Sequence, residues 1–343
     1  MTITPAGSVA DERALIEGAR RGEGDAFGQL VEPYRPELHA HCYRLLGSVH
    51  DADDALQDTL LRAWRGLPGF DDRRPVRPWL YKIATHVCLD LVARRPRRWL
   101  PVDYRPTGGA GPQQPPAAWV EPYPDEQLGL PGGYASPEAR YEQREAVELA
   151  FIAALQHLPA RQRAVLILRD VLGFSAREVA GILDATPTSV HSATQRARQT
   201  IRAQLPGQSQ QQAMRSLGDR RLRELAQRLA DALEAGQVEV IVAMLADDAT
   251  FAMPPYPDWC RGRDAVSRSW LMPAGSPTGL RYRSARANGQ LALGAYKLEP
   301  GQGGYLPVAL DVLSWHGSQI VAITAFRTPA LFPRFGLPDK LPR

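Results

Sequence analysis

The sequence predicts a multidomain chain: two all-α helical domains, the second containing a helix-turn-helix, followed by an α+β module. Three observations predict it. Apolar residues recur at helical spacing over residues 10–95 and again over 137–205. Between them, over 96–136, the periodicity gives way to Pro, Gly and Gln. Beyond residue 216, two helical stretches lead into runs that alternate apolar and polar residues. A length of 343 residues, at about 150 per domain, agrees with two or three domains.

Composition bounds the function. Hydrophobic residues make up 44% and charged residues 23%, as in ordinary globular proteins, while 30 prolines and 29 glycines imply ordered pieces separated by irregular segments. A net charge of +4 permits a nucleic-acid partner without requiring one. Three widely spaced cysteines, Cys42, Cys88 and Cys260, support neither a disulfide framework nor a paired zinc motif. His39, His41 and Cys42 cluster, but no second ligand pair follows at zinc spacing, so no metal is expected. No signal-peptide core and no run of about 18 apolar residues occurs, so a cytoplasmic protein without a membrane partner is expected.

In the first domain, "DAFGQLVEPYRPELHAHCYRLLG" places Phe27, Leu30, Val31, Tyr34, Leu38, Tyr43 and Leu45 at helical spacing, and Gly47 ends the run. "SVHDADDALQDTLLRAWRGL" puts Ala52, Ala55, Leu56, Thr59, Leu60 and Ala63 on one face, with Asp51, Asp54 and Asp58 on the other. A charged, proline-rich turn, "PGFDDRRPVRP", opens a third helix, "WLYKIATHVCLDLVARRPRR". The 96–136 segment is a linker by composition, yet it contains the aromatic motif "WVEPYPD".

The sharpest local signal is "GFSAREVAGILDATPTSVHSATQRARQTIR". Ser175 and Glu178 form a capping box, "DATPT" makes a tight turn, and Thr186 or Thr188 caps the second helix. Val190, Thr194, Ala197 and Ile201 fall on that helix's inner face; Ser189, His191, Ser192, Gln195, Arg196 and Gln199 point outward. A polar, arginine-bearing outer face on the second helix is what major-groove reading requires. A solvated helix pair in a bundle is the plainer alternative.

Together these segments resemble the sigma-seventy family of bacterial RNA polymerase sigma factors, in the extracytoplasmic-function group that keeps only regions 2 and 4. "DADDALQDTLLRAWRGL" is similar to the family's core-binding helix, "RPWLYKIATHVCLDLVARRPRR" to its promoter-melting helix, and "ALQHLPARQRAVLILRDVLGFSAREVAGIL" to region 4. The resemblance implies region 2 over 10–95 and region 4 over 137–205. It implies core RNA polymerase as partner, through the largest-subunit clamp helices and the flap region, and promoter DNA. Asp54, Gln57, Asp58 and Leu61 would meet polymerase. Arg73, Arg74, Arg77, Trp79, Lys82 and His86 would meet the minus-ten strand, and the outward residues of the second helix the minus-thirty-five element. Trp79 has an equal reading as core, and His86 departs from the family's frequent Asn.

The last part, 216–343, resembles the SnoaL-like domain, an α+β cone in which a curved sheet wraps round helices about a pocket. Phe251, Trp259 and Asp311 are its candidate pocket residues, and a small molecule its candidate ligand. Asp311 lies in the apolar run "PVALDVLSWHG" and would suit a buried base, but no His and Asp pair supports catalysis; Asp258 and Asp264 fit capping. In sigma factors with such extensions the resemblance includes a Trp- and Pro-containing linker motif. Trp119, Pro122, Tyr123 and Pro124 would dock on the C-terminal module, or else Trp119 packs on region 4 or lies exposed.

The implied function is transcription initiation without catalytic residues or cofactor, regulated by the C-terminal module. The rival readings are a stand-alone, ligand-responsive helix-turn-helix regulator and a SnoaL-type enzyme fused to a DNA-binding module.

Overall fold

A computed structural model describes residues 9–95, 97–103, 119–128, 144–271 and 279–343. Most of the linker expected over 96–136, and the start of the second helical domain, lie outside the described residues. The chain divides into two compact units. One comprises Met1–Arg97, Gln127–Ser136 and Ala154–Gln204; the other comprises Arg98–Glu126, Pro137–Ala153 and Leu205–Arg343.

The first unit is helical. Its opening helices are α1 (Val9–Arg20), α2 (Gly24–Val31), α3 (Arg35–Leu46), α4 (Val49–Gly66) and α5 (Val76–Arg94). Gly47 ends α3 at φ 69°, a left-handed conformation that costs glycine little. Ser48 caps α4 by accepting the amide of Asp51 at 3.1 Å. The buried face of α4 carries Val49, Ala52, Ala55, Thr59, Leu60 and Ala63, and its alanines allow α3 and α5 to pack close. Asp51, expected on the acidic outer face, is buried instead: it lies in the first turn beside its cap and pairs with Arg95. A neutral imidazole lies in this core. His41 meets Thr85 Oγ1 at 2.9 Å, and burial, with Arg44 and Arg77 adding to it, pushes its pKa down to about 3.

The same unit continues through α6 (Leu149–Gln156), of which it holds the C-terminal part, and α7 (Ala160–Leu166). A π-helical turn over Ile167–Val171 precedes α8 (Ala176–Ile182) and α9 (Pro187–Gln204). Both arms of the expected capping box form, Glu178 N to Ser175 Oγ at 3.2 Å and Ser175 N to Glu178 Oε2 at 2.7 Å. Thr186 is the residue that caps α9, its Oγ1 accepting Ser189 N at 3.2 Å. Val190, Thr194, Ala197 and Ile201 are the buried stripe of α9.

The second unit contains α10 (Gln210–Leu217), α11 (Asp219–Glu234), α12 (Val238–Met244) and α13 (Arg263–Leu271). Its strands are β1 (Leu245–Ala252), β2 (Trp259–Arg261), β3 (Leu280–Ala287), β4 (Gln290–Glu299), β5 (Gly304–His316) and β6 (Gln319–Phe326). They form one mixed sheet in the order β2-β1-β6-β5-β4-β3, parallel only at β1 and β6 and bulged in β1, β4–β5 and β5–β6. One face of the sheet, bearing Phe251, Leu291, Leu293, Leu313 and Ile323, packs with Leu225, Leu229 and Leu233 of α11 and Ile241 of α12. This is the α+β cone that the sequence implies.

The other face is covered by the C-terminal segment, where Phe332 meets Tyr296 edge-on at 5.2 Å. Gly294 makes room for it, since a Cβ there would stand 2.6 Å from Leu337 Cδ1. The second of the helical stretches expected beyond residue 216 ends at Met244, and Leu245 turns extended at ψ 140°. Arg263 fixes that change by donating to Leu245 O at 2.9 and 3.1 Å. Among the described residues no helix is long and apolar enough to cross a membrane.

Candidate functional site

The exposed side of α4 carries the first set of candidates. Asp54, Gln57 and Leu61 are exposed and Asp58 half-exposed, its carboxylate 2.9 Å from Arg62. At 46% exposure, Leu61 is one of two large hydrophobic residues open to solvent among the described residues. It borders a groove of about 490 Å³ with Leu56, Gln57, Leu60, Phe27 and Trp64. Phe27 and Trp64 meet edge-on at 5.1 Å and give the groove an aromatic floor. An apolar cleft rimmed by Arg35, Asp53 and Gln57 has the mixed apolar and polar make-up of a protein-docking surface. Leu56, assigned from its spacing to the inner face, is half-buried because it lines this groove.

The second set is divided. Arg73 and Arg74, in the turn before α5, are highly exposed and pair with Asp71, at 3.5 and 3.7 Å. Arg77 is held inside: it donates to both oxygens of Glu37 at 3.1–3.3 Å and covers the rings of Tyr81 and Phe174 at 5.0 and 4.8 Å. Trp79 is half-buried, its ring 4.6 Å from that of Phe70, so the packing reading accounts for one side of it. Lys82 and His86 stand one turn apart on α5, and both face Asp184. Asp184, in the turn between α8 and α9, was not singled out from the sequence. Its signal is the position itself, a φ of 50° that favours Asp, Asn or Gly.

The third set is uniform. Ser189, His191, Ser192, Gln195, Arg196 and Gln199 are all exposed on α9, opposite its buried stripe. Arg198, on the same helix, is committed to Asp170 through two bonds of 2.7 and 2.8 Å. Arg196 has no ion pair of this kind among the described residues. One arginine anchors the helix and another is presented outward.

In the second unit the linker motif is buried: Trp119 is 3% exposed and Tyr123 0%. Trp119 bridges Trp99 in parallel, and its carbonyl accepts Arg98 Nη1 at 2.7 Å. Pro122 is buried, and Pro124 pairs antiparallel with Ala287 at the end of β3. Tyr123 exchanges two bonds of 2.8 Å with Asn288: its N–H donates to Oδ1, and its carbonyl accepts the Asn288 N–H. Asn288 Nδ2 also donates to Val147 O at 2.7 Å, and Gly289 N to Asp125 Oδ1 at 2.6 Å.

The same hairpin tip reaches two further segments. Leu149 N donates to Gln290 Oε1 at 3.0 Å, and Gln211 Nε2 donates to Gly289 O. Glu148 accepts the amides of Gln210 and Gln211 at 2.9 and 2.7 Å. The Asn-Gly pair between two alternating strands is a hairpin-turn signal, with both residues at positive φ, 56° and 69°. The sequence marks the turn but not its partners.

Of the candidate pocket residues, Phe251 and Asp311 are both buried. Asp311 shares the inner parity of β5 with Leu313, and its Oδ2 accepts Trp270 Nε1 at 3.1 Å. Burial pushes its carboxyl up to about 7, against the opposing pull of Trp270 and Arg327. Trp259 is separated from them. Phe251 stands opposite Cys260 in the β1–β2 register, so Trp259, paired with Ala252, projects from the other face.

Two family models match the chain: Sigma-70 region 2 over residues 30–98, and Sigma-70, region 4 over 142–201. The chain is similar to "ECF RNA polymerase sigma factor SigG" of Mycobacterium tuberculosis, 39% identical over 340 residues, which is 97% of this chain and 90% of that protein. It is also similar to RNA polymerase sigma factor CnrH of Cupriavidus metallidurans, 33% identical over 207 residues, 58% of this chain and 96% of that one. Among solved structures, the Mycobacterium tuberculosis extracytoplasmic function sigma factor SigJ shares the fold. It gives a TM-score of 0.57 at 23% identity, covering 89% of this chain and 97% of that one.

Proposed function

Because the chain belongs to the ECF family of RNA polymerase sigma factors, which bind core RNA polymerase and promoter DNA in transcription initiation, we propose a division of labour among its surfaces. Residues 10–95 act as region 2 and 137–205 as region 4. The α4 groove, with Gln57 and Leu61 at its edge and Asp54 and Asp58 beside it, takes the clamp helices of the largest polymerase subunit. Region 4 meets the flap. The outer face of α9 reads the minus-thirty-five element, and Arg73, Arg74, Lys82 and His86 grip the minus-ten strand. The observation that carries this reading is the division of α9 into a buried apolar stripe and an outer face made of Ser, His, Gln and Arg. A sigma factor of this design works in the cytoplasm, with its polymerase.

The α4 assignment is tested by Leu61→Asp. A charge placed at the edge of an apolar groove loses the burial of a leucine and adds a desolvation cost, about 2 kcal/mol together or roughly thirtyfold in affinity. Pull-down and anisotropy with core polymerase read it, while duplex binding stays unchanged. Unaltered polymerase affinity would move the docking site elsewhere.

The C-terminal module controls this activity through the segments that its hairpin tip holds. Residues 119–125 belong to the linker and 144–149 to the start of the second helical domain, so the hairpin tip ties both to the C-terminal module. A small-molecule ligand of this module would lie on the inner face of the sheet, where Asp311 supplies a protonatable carboxyl. A thermal-shift screen of apolar ligands against wild type and Asp311→Ala tests that placement.

A further inference from the structure

Lys82 and His86 lie on the helix to which the minus-ten strand is assigned, yet their side-chain nitrogens are turned to the helix-turn-helix of the same unit. Lys82 Nζ donates to Asp184 Oδ1 at 2.6 Å and to Gly181 O at 3.2 Å. His86 Nδ1 donates to Lys82 O at 2.8 Å, and this orients the ring so that Nε2 stands 3.5 Å from Asp184 Oδ2. Beside these pairs, Phe174, at the entry to α8, packs edge-on against Tyr81 at 5.2 Å and lies beneath the Arg77 guanidinium. Polar and apolar contacts thus join α5 to the minus-thirty-five reading motif along one face.

That closed arrangement cannot serve both promoter elements at once. By their positions, minus-ten and minus-thirty-five are about 25 base pairs apart, or about 85 Å at 3.4 Å per pair. Two elements bonded at 2.6 Å have to separate before both can lie on the DNA. We propose that Asp184 is an autoinhibitory latch: its carboxylate occupies the Lys82 cation and stands against the His86 ring in the free protein, and it is displaced by the phosphates of the minus-ten strand. The proposal rests on the assignment of α5 to that strand. Exposure suits the role. Lys82 is 42% and Asp184 65% exposed, so the ion pair is weak enough for competing phosphates, or for polymerase binding that separates the two domains, to break it.

Asp184→Asn in the full chain tests the latch. Asn accepts the left-handed backbone at this position, so the turn keeps its shape while the charge is lost. Asp339→Asn makes the same change of net charge at an exposed position far along the chain and sets the baseline. Without polymerase, Asp184→Asn should bind a single-stranded minus-ten oligonucleotide about two- to fivefold more tightly than Asp339→Asn does. In a Lys82→Ala background the gain should disappear, because the cation that the latch sequesters is gone. Equal affinities for the two Asn variants, or a gain that survives Lys82→Ala, would overturn the latch. Run-off transcription with core polymerase separates the two ideas: transcripts from wild type alongside equal affinities remove the latch alone, and transcripts from neither protein remove the reading beneath it.

Discussion

Asn288→Ala is the perturbation most directly weighted by the geometry. The side chain is fully buried, accepts from Tyr123 N at 2.8 Å and donates to Val147 O at 2.7 Å. Tyr123 and Val147 are themselves 0% exposed, so alanine leaves one amide and one carbonyl buried without these partners. Each orphaned group costs about 1–3 kcal/mol. Alanine at a φ of 56° adds roughly 1 kcal/mol of backbone strain. The sum is about 3–7 kcal/mol, comparable with the stability of a whole domain. Asn288→Gly removes the strain and keeps the two lost bonds, so it should recover only about 1 kcal/mol. Urea unfolding of the full chain, with amide exchange followed at Tyr123 and Leu149, reads both. A loss under about 1 kcal/mol, with the Tyr123 amide as protected as in wild type, would refute the claim that the hairpin tip holds the linker.

Two further predictions follow from single side chains. Burial raises the carboxyls of Asp311 and Glu148 to about 7, so each keeps in the folded state a proton that the unfolded chain has released. Stability should therefore fall as pH rises from about 4 to 7, by up to about 1.4 kcal/mol per unit for each group, and Asp311→Asn should roughly halve that slope in pH-dependent urea titrations. On α9, Arg196→Ala should weaken duplex binding and reduce the slope of log affinity against log salt by about 0.9, while Arg198→Ala should lower stability instead, since its guanidinium is bound to Asp170. Equal salt slopes for the two variants would show that α9 does not present Arg196 to phosphate.

Local chemistry made much of this legible. Ser175 and Glu178 announce a helix start within four residues, Gly47 a helix end, and the alternation in 280–326 gives β3 to β6, because each signal is read from neighbours in sequence. The outer face of α9 was legible for the same reason. Partnerships across long separations were not. Arg77 looks like a free cation until Glu37, forty residues earlier, is brought beside it, and Asp51 looks solvated until Arg95 covers it. Tyr123 and Asn288 are 165 residues apart, and only the fold joins them. β2 has three residues, too few for an alternation to register, and its register is what turns Trp259 away from the inner face.

Run-off transcription with purified core polymerase and the full chain on a promoter library tests whether region 2 and region 4 together direct the polymerase to promoters. Transcripts from a defined promoter class, weakened by Leu61→Asp and by Arg196→Ala, are the expected result. Tight promoter binding by the chain alone, with no polymerase binding and no transcript, would contradict it and leave a stand-alone regulator.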